Sequence, residues 1–156
     1  MRCHGFLVDL SNQLRAYRFF CSNRNGNQGC GRTRSVYLSA VIPKHTLNTT
    51  ELFFLLLQIA STGFVLTGWN KAKQLAGTNF PFSLASAYRW HRLFHSKLPE
   101  YRSKLYLQVR PPPDSEVAAS PNPEIVATMK MFDEAKNKGC TSPFSSFQLY
   151  HQRPIF

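Results

Sequence analysis

Apolar residues change their spacing near Asn48, and that change splits the chain into two kinds of structure. Before it, Phe6, Val8, Leu14, Tyr17, Phe19 and Phe20 alternate loosely with polar residues, the period of strands. Residues 14–20 read as one strand, with Arg15 and Arg18 set among aromatics. An Asn- and Gly-rich loop follows, and residues 34–41 read as a second strand stopped by Pro43. After Asn48 the apolar positions recur every three or four residues, the period of helices.

The helical part carries its own punctuation. Asn48-Thr49-Thr50-Glu51 is a helix start in which Asn48 caps and Glu51 reaches back. The helix it opens, 49–62, is apolar on most sides and belongs in a core. A second helix is expected over 65–76, stopped by Gly77. Ser83 caps a third, running to about Leu98, with Ala87, Trp90, Phe94 and Leu98 as its inner stripe and Ala85, Arg89, Arg92 and Ser96 opposite. Pro99 is expected to break it, leaving a fourth piece over 100–108.

Three consecutive prolines, Pro111 to Pro113, and two more by Pro123 read as a stiff linker. Beyond it one amphipathic helix, 123–138, faces inward through Ile125, Met129 and Phe132. Residues 140–156 read as an irregular aromatic tail. The expected fold is α+β, mainly α. It divides into a partial zinc-ribbon-like β element (1–45), a helix-turn-helix-like helical domain (46–110), a linker (111–123), and a C-terminal helix with its tail (124–156).

Charge follows the same division. The chain carries a net +11, with 43% hydrophobic and 13% aromatic residues, too much apolar material for a disordered basic tail. Residues 1–113 hold 15 Lys and Arg against Asp9, Glu51 and Glu100, a net of +12, whereas 114–156 are close to neutral. A globular body so poor in acids points to a polyanionic partner, with double-stranded DNA first among them.

The second and third helices give that charge a geometry. A helix, a short turn and a second helix with an Arg-bearing outer face is the layout of helix-turn-helix DNA binding. Small residues at its start, Ser83 and Ser86, let the second helix sit deep in the major groove. Arg89 and Arg92 then reach guanine edges or phosphates, while Lys71 and Lys73 hold the backbone. Arg32 and Arg34, beside the cysteine loop, are further phosphate partners.

Cys21 and Cys30 flank that loop and form the one credible pair of zinc ligands, although a closed site takes about four N or S donors. Cys3 and His4 are adjacent in sequence, and in an extended segment adjacent side chains point to opposite faces, so both cannot easily bind one ion; His45 is a further candidate. Catalysis is not expected. The basic body lacks a set of carboxylates for metal-assisted phosphoryl transfer, and no glycine-rich phosphate loop is present. Nothing in the spacing of Cys140 and His151 fixes a nucleophile beside a base. A small-molecule substrate is not expected either.

The run Arg18-Phe19-Phe20-Cys21-Ser22-Asn23-Arg24, with Gly29-Cys30-Gly31-Arg32-Thr33 and Ser35-Val36, resembles a transposase-like bacterial zinc-ribbon family associated with insertion sequences. Members place a helix-turn-helix region after the ribbon, where Thr49 to Tyr101 stand here. A Pro-Pro-Pro linker and a tail with Pro-Phe-x-x-Phe-Gln follow, matching Pro111 to Pro113 and Pro143 to Gln148. The resemblance implies a mobile-element DNA-binding protein with Cys21 and Cys30 as metal ligands. It departs at the N-terminus, where the family's first Cys-x-x-Cys knuckle is missing. That implies either an internal translation start or a decayed or shortened copy, with an incomplete zinc site.

Other readings stay open from sequence. The apolar segment 52–60 and the aromatic tail could engage a partner protein or a second copy. Tyr17, Phe19 and Phe20 among Arg15 and Arg18 could stack on RNA, although ordinary sheet core is the plainer reading of those rings. The apolar run is too short for a membrane span, and no signal peptide is apparent, so a cytoplasmic, nucleoid-associated protein is expected.

Overall fold

A computed structural model describes residues 2–8, 14–20, 33–37 and 48–151. Three strands form an antiparallel sheet in the order β1 (Arg2–Val8), β2 (Leu14–Phe20) and β3 (Thr33–Tyr37). β2 is the strand expected over 14–20. β3 begins one residue earlier than expected and is described only to Tyr37. β1 was not legible as a strand of its own, because Cys3, His4 and Gly5 interrupt its alternation. The pairing register shifts between Cys3 and Gly5.

Six helices follow among the described residues: α1 (Thr49–Thr62), α2 (Val65–Ala76), α3 (Leu84–Leu105), α4 (Asp114–Val117), α5 (Pro123–Glu134) and α6 (Pro143–His151). The start of α1 is the capping box its sequence announces. The Glu51 amide donates to Asn48 Oδ1 at 2.8 Å, and the Asn48 amide donates to Glu51 Oε2 at 3.0 Å. Gly63 ends α1 with φ +80°, in the left-handed region. Leu52, Leu55, Leu56, Ile59 and Ala60 are all buried, while Leu57 of the same segment is 39% exposed.

α1 and α2 cross closely because residue 68 is glycine. A Cβ there would stand 2.4 Å from Ile59 Cα and 2.7 Å from Ile59 N, both backbone atoms that cannot yield alone. Gly68→Ala should therefore push the helices apart and destabilise the protein by about 1–3 kcal/mol despite alanine's better helix propensity. Thermal denaturation checks this, and an unchanged or raised Tm would contradict the close crossing.

Pro99 does not break α3. It removes one intrahelical donor and strains the turn, at a cost of roughly 3 kcal/mol. Beyond it, however, the same stripe buries Tyr101 and Leu105, at 2% and 0% exposure, continuing Ala87, Trp90, Phe94 and Leu98. Each such burial returns about 1.5–3 kcal/mol, so one 22-residue helix forms and the separate piece expected over 100–108 does not.

Residues 111–123 and 124–156 also depart from expectation. The stretch read as a linker contains α4, buries Val117, and lies against the corner between α1 and α2. There Asn122 Nδ2 donates to the Gly63 carbonyl at 3.3 Å. α5 stops at Glu134, short of the expected 138.

The aromatic tail is helical over 143–151, not irregular. Its start is fixed by Ser142, whose Oγ accepts from the Ser145 amide at 3.1 Å and donates to Thr49 Oγ1 at 2.8 Å. Phe132 of α5 meets Phe144 and Phe147 of α6 at 4.9 and 5.1 Å between centroids, and Tyr101 of α3 at 5.5 Å. The core is thus shared by α1, α2, α3, α5 and α6, and the C-terminal third is part of it.

Candidate nucleic-acid interface

α2 and α3 are joined by a single turn of 3-10 helix at Gly77–Asn79 and a short extended stretch to Ser83. The joint is held by Trp69 of α2, whose Nε1 donates to the Phe82 carbonyl at 2.8 Å. Phe82 is itself buried, and Phe80 bridges the two rings at 6.3 Å from Trp69 and 5.5 Å from Phe82. An aromatic plug of this kind fixes where α3 begins relative to α2.

Ser83 and Ser86 are engaged in the start of α3. Ser83 Oγ accepts from the Ser86 amide at 3.1 Å, and Ser86 Oγ donates back to the Ser83 carbonyl at 2.8 Å. Both hydroxyls serve the helix end, so what they leave to the outer face is small side chains.

Arg89 and Arg92 are exposed one turn apart on the outer face of α3. With Ala85, Tyr88 and His91 they line an open depression of about 360 Å³. Tyr88, 52% exposed, belongs to this face; its position one turn before Arg92 was the signal available for finding it.

The ion pairs sort the bases of the helical body. Lys97 and Lys104 both reach Glu100, at 3.2 and 2.6 Å, Arg102 reaches Glu124 at 3.3 Å, and Lys130 reaches Glu116 at 3.0 Å. Among the described residues, no acid meets Lys71, Lys73, Arg89 or Arg92. The second half of α3 pairs its bases with Glu100 and Glu124, whereas the first half, with α2, has no acid partner among the described residues.

The two lysines differ. They leave α2 on either side of Ala72, which is fully buried, so they do not form one row. Lys73 lies 5.1 Å from the Trp69 ring, which places it beside the joint to α3. Lys71 has no such anchor. Arg34 lies on β3, in register with Phe19. Cys21, Cys30, Arg32 and His45 lie outside the described residues. Among the described residues no group of three or more His, Cys, Asp and Glu could hold a metal ion.

His91 forms part of the depression's wall. Its ring is half-buried, and its Nε2 is enclosed without a hydrogen-bond partner. Burial, and secondarily His95 one turn on, hold its pKa below the usual 6.5. His151 of α6 is lowered in the same sense by burial and by Lys104, and its Nε2 lies 3.0 Å from Gln108 Nε2. The amide is the donor there, so the ring nitrogen accepts and the imidazole is neutral.

Both histidines regain the ordinary value of 6.5 on unfolding. Stability is therefore greatest above that value and declines as pH falls through it towards the lowered folded values. Thermal melts at about pH 7.5 and about pH 5.5 should show a lower Tm in acid, and a flat profile would contradict the two environments.

Comparison with protein-family models, curated proteins and solved structures returned no match. No helix among the described residues is long and apolar enough to cross a membrane.

Proposed function

We propose that this chain is a non-catalytic protein that binds double-stranded DNA, with α3 as the groove-entering helix. The observation that carries the reading is the sorting of charge. Arg89 and Arg92 meet no acid among the described residues and stand on the exposed face of α3, directly after a turn fixed by Trp69 and Phe82, while the other bases of that helix, Lys97, Arg102 and Lys104, each pair with an acid. Guanidinium groups three residues apart on one helical face match the fork of acceptors on guanine and the spacing of phosphates. Lys73 beside the joint, and Lys71 and Arg34 further off, serve as phosphate contacts.

The transposase-like, mobile-element character implied by the cysteine segment belongs to the same proposal. So do a zinc site at Cys21 and Cys30, contacts from Arg32, and a cytoplasmic, nucleoid-associated location. The test of the central claim is fluorescence anisotropy of a labelled duplex at several salt concentrations. With Arg89, Arg92, Lys71, Lys73, Arg32 and Arg34 on phosphates or base edges, log Kobs should fall against log salt with a slope of about −4 to −5. Absence of binding at low salt, or affinity indifferent to salt, overturns the proposal.

A further inference from the structure

β2 exposes aromatic rings that ordinary sheet core would bury. Ala16 is fully buried, whereas Tyr17 is 43% exposed and Phe19 only half-buried. β2 is the central strand, paired on both sides, so this exposure belongs to the face of the sheet and not to a frayed edge. Tyr17 and Phe19 are two residues apart and share that face. Register sets Tyr17 between Phe6 and Val36, and Phe19 between Cys3 and Arg34.

We infer that this face is a stacking platform for the unpaired bases of single-stranded nucleic acid, a site distinct from α3. Charge complementarity names the occupant. Residues 1–37 carry Arg2, Arg15, Arg18, Arg24, Arg32 and Arg34 against the single acid Asp9, and register places Arg34 opposite Phe19, on the face of the two rings. Exposed aromatic rings in a segment so rich in arginine suit a ligand that alternates flat apolar bases with phosphates.

A duplex offers these rings no base face, because its bases are covered by their own stack. On an unpaired strand each base offers a face to a ring, and the phosphates meet the arginines.

The test uses the full chain and three labelled strands of about 15 nucleotides: oligo-dT, oligo-rU and an abasic DNA strand of the same charge. Wild-type protein should bind oligo-dT about tenfold or more tighter than the abasic strand at equal salt, the difference being base stacking. Equal affinity overturns the inference without any variant having to fold. Oligo-rU bound as tightly as oligo-dT makes both nucleic acids ligands of the face, and tighter dT binding makes DNA the ligand. Tyr17→Phe should keep the base preference, because the ring carries it, and Tyr17→Ala should remove most of it. A Tyr17→Ala protein of unchanged Tm that retains the preference overturns the assignment to β2.

The Arg89→Ala/Arg92→Ala variant separates this site from the proposed duplex site. It should lose duplex affinity and keep the preference for bases over the abasic strand. Loss of that preference would place single-strand binding on α3 and overturn the inference. Unchanged duplex affinity would count against the α3 reading alone.

Discussion

Arg89→Ala/Arg92→Ala should lower duplex affinity by about 10- to 100-fold and flatten the salt dependence by roughly two units of slope. Both side chains are exposed and neither meets an acid among the described residues, so their removal takes positive charge from the surface and leaves the core intact. Unchanged circular dichroism and Tm are part of the expected result. The informative control lies on the same helix. Lys97→Ala removes a base already neutralised by Glu100 and should change affinity about twofold or less. A loss equal to that of the arginine pair would mean that binding follows total charge, and the assignment of the first half of α3 would fail.

Phe132→Ala should destabilise the whole helical body by about 3–5 kcal/mol, a large share of the ~5–15 kcal/mol that holds a typical domain together. Phe132 is 1% exposed and packs its ring against Phe94 and Tyr101 of α3 and Phe144 and Phe147 of α6. Both tryptophans, Trp69 and Trp90, lie in α2 and α3, so their fluorescence reports the helices before the prolines. Melting followed by tryptophan fluorescence should shift down by more than about 10 °C, together with the far-ultraviolet signal. If residues 124–151 were an independent element, the tryptophan transition would stay in place.

Within the helical body, local chemistry made much of the fold legible. Asn48 with Glu51, Gly63, Gly77 and Ser83 mark helix ends through groups that act within three or four residues of themselves. The inner stripe of α3 was equally readable, because burial of Ala87, Trp90, Phe94 and Leu98 repeats with the helical period. The exposed stripe with Arg89 and Arg92 follows from it by exclusion.

Pro99 shows where such reasoning stops. Its local penalty is real, but the outcome depends on what Tyr101 and Leu105 find to pack against two turns of chain later. α6 failed for a related reason. Ser142 followed by Pro143 is a readable helix start. The helix it opens, however, is buried on most sides, from Pro143 to Gln148, so it shows no amphipathic period to detect.

The candidate site was half legible. The types and spacing of Arg89 and Arg92 were in the chain, but which bases remain unpaired was not. Glu100 lies close enough in sequence to suggest partners for Lys97 and Lys104, whereas Glu124 reaches Arg102 only because α5 packs on α3.

The sequence alone determined the helix ends, the change from strand to helix near Asn48, the basic excess of the first 113 residues and the outward face of α3, since each depends on neighbours in the chain. Only the tertiary structure decided that α3 runs through Pro99, that the segment after the prolines completes the core, and that positive charge survives on one half of a helix. Those outcomes rest on contacts between residues far apart in sequence, where burial and ion pairing outweigh local preference.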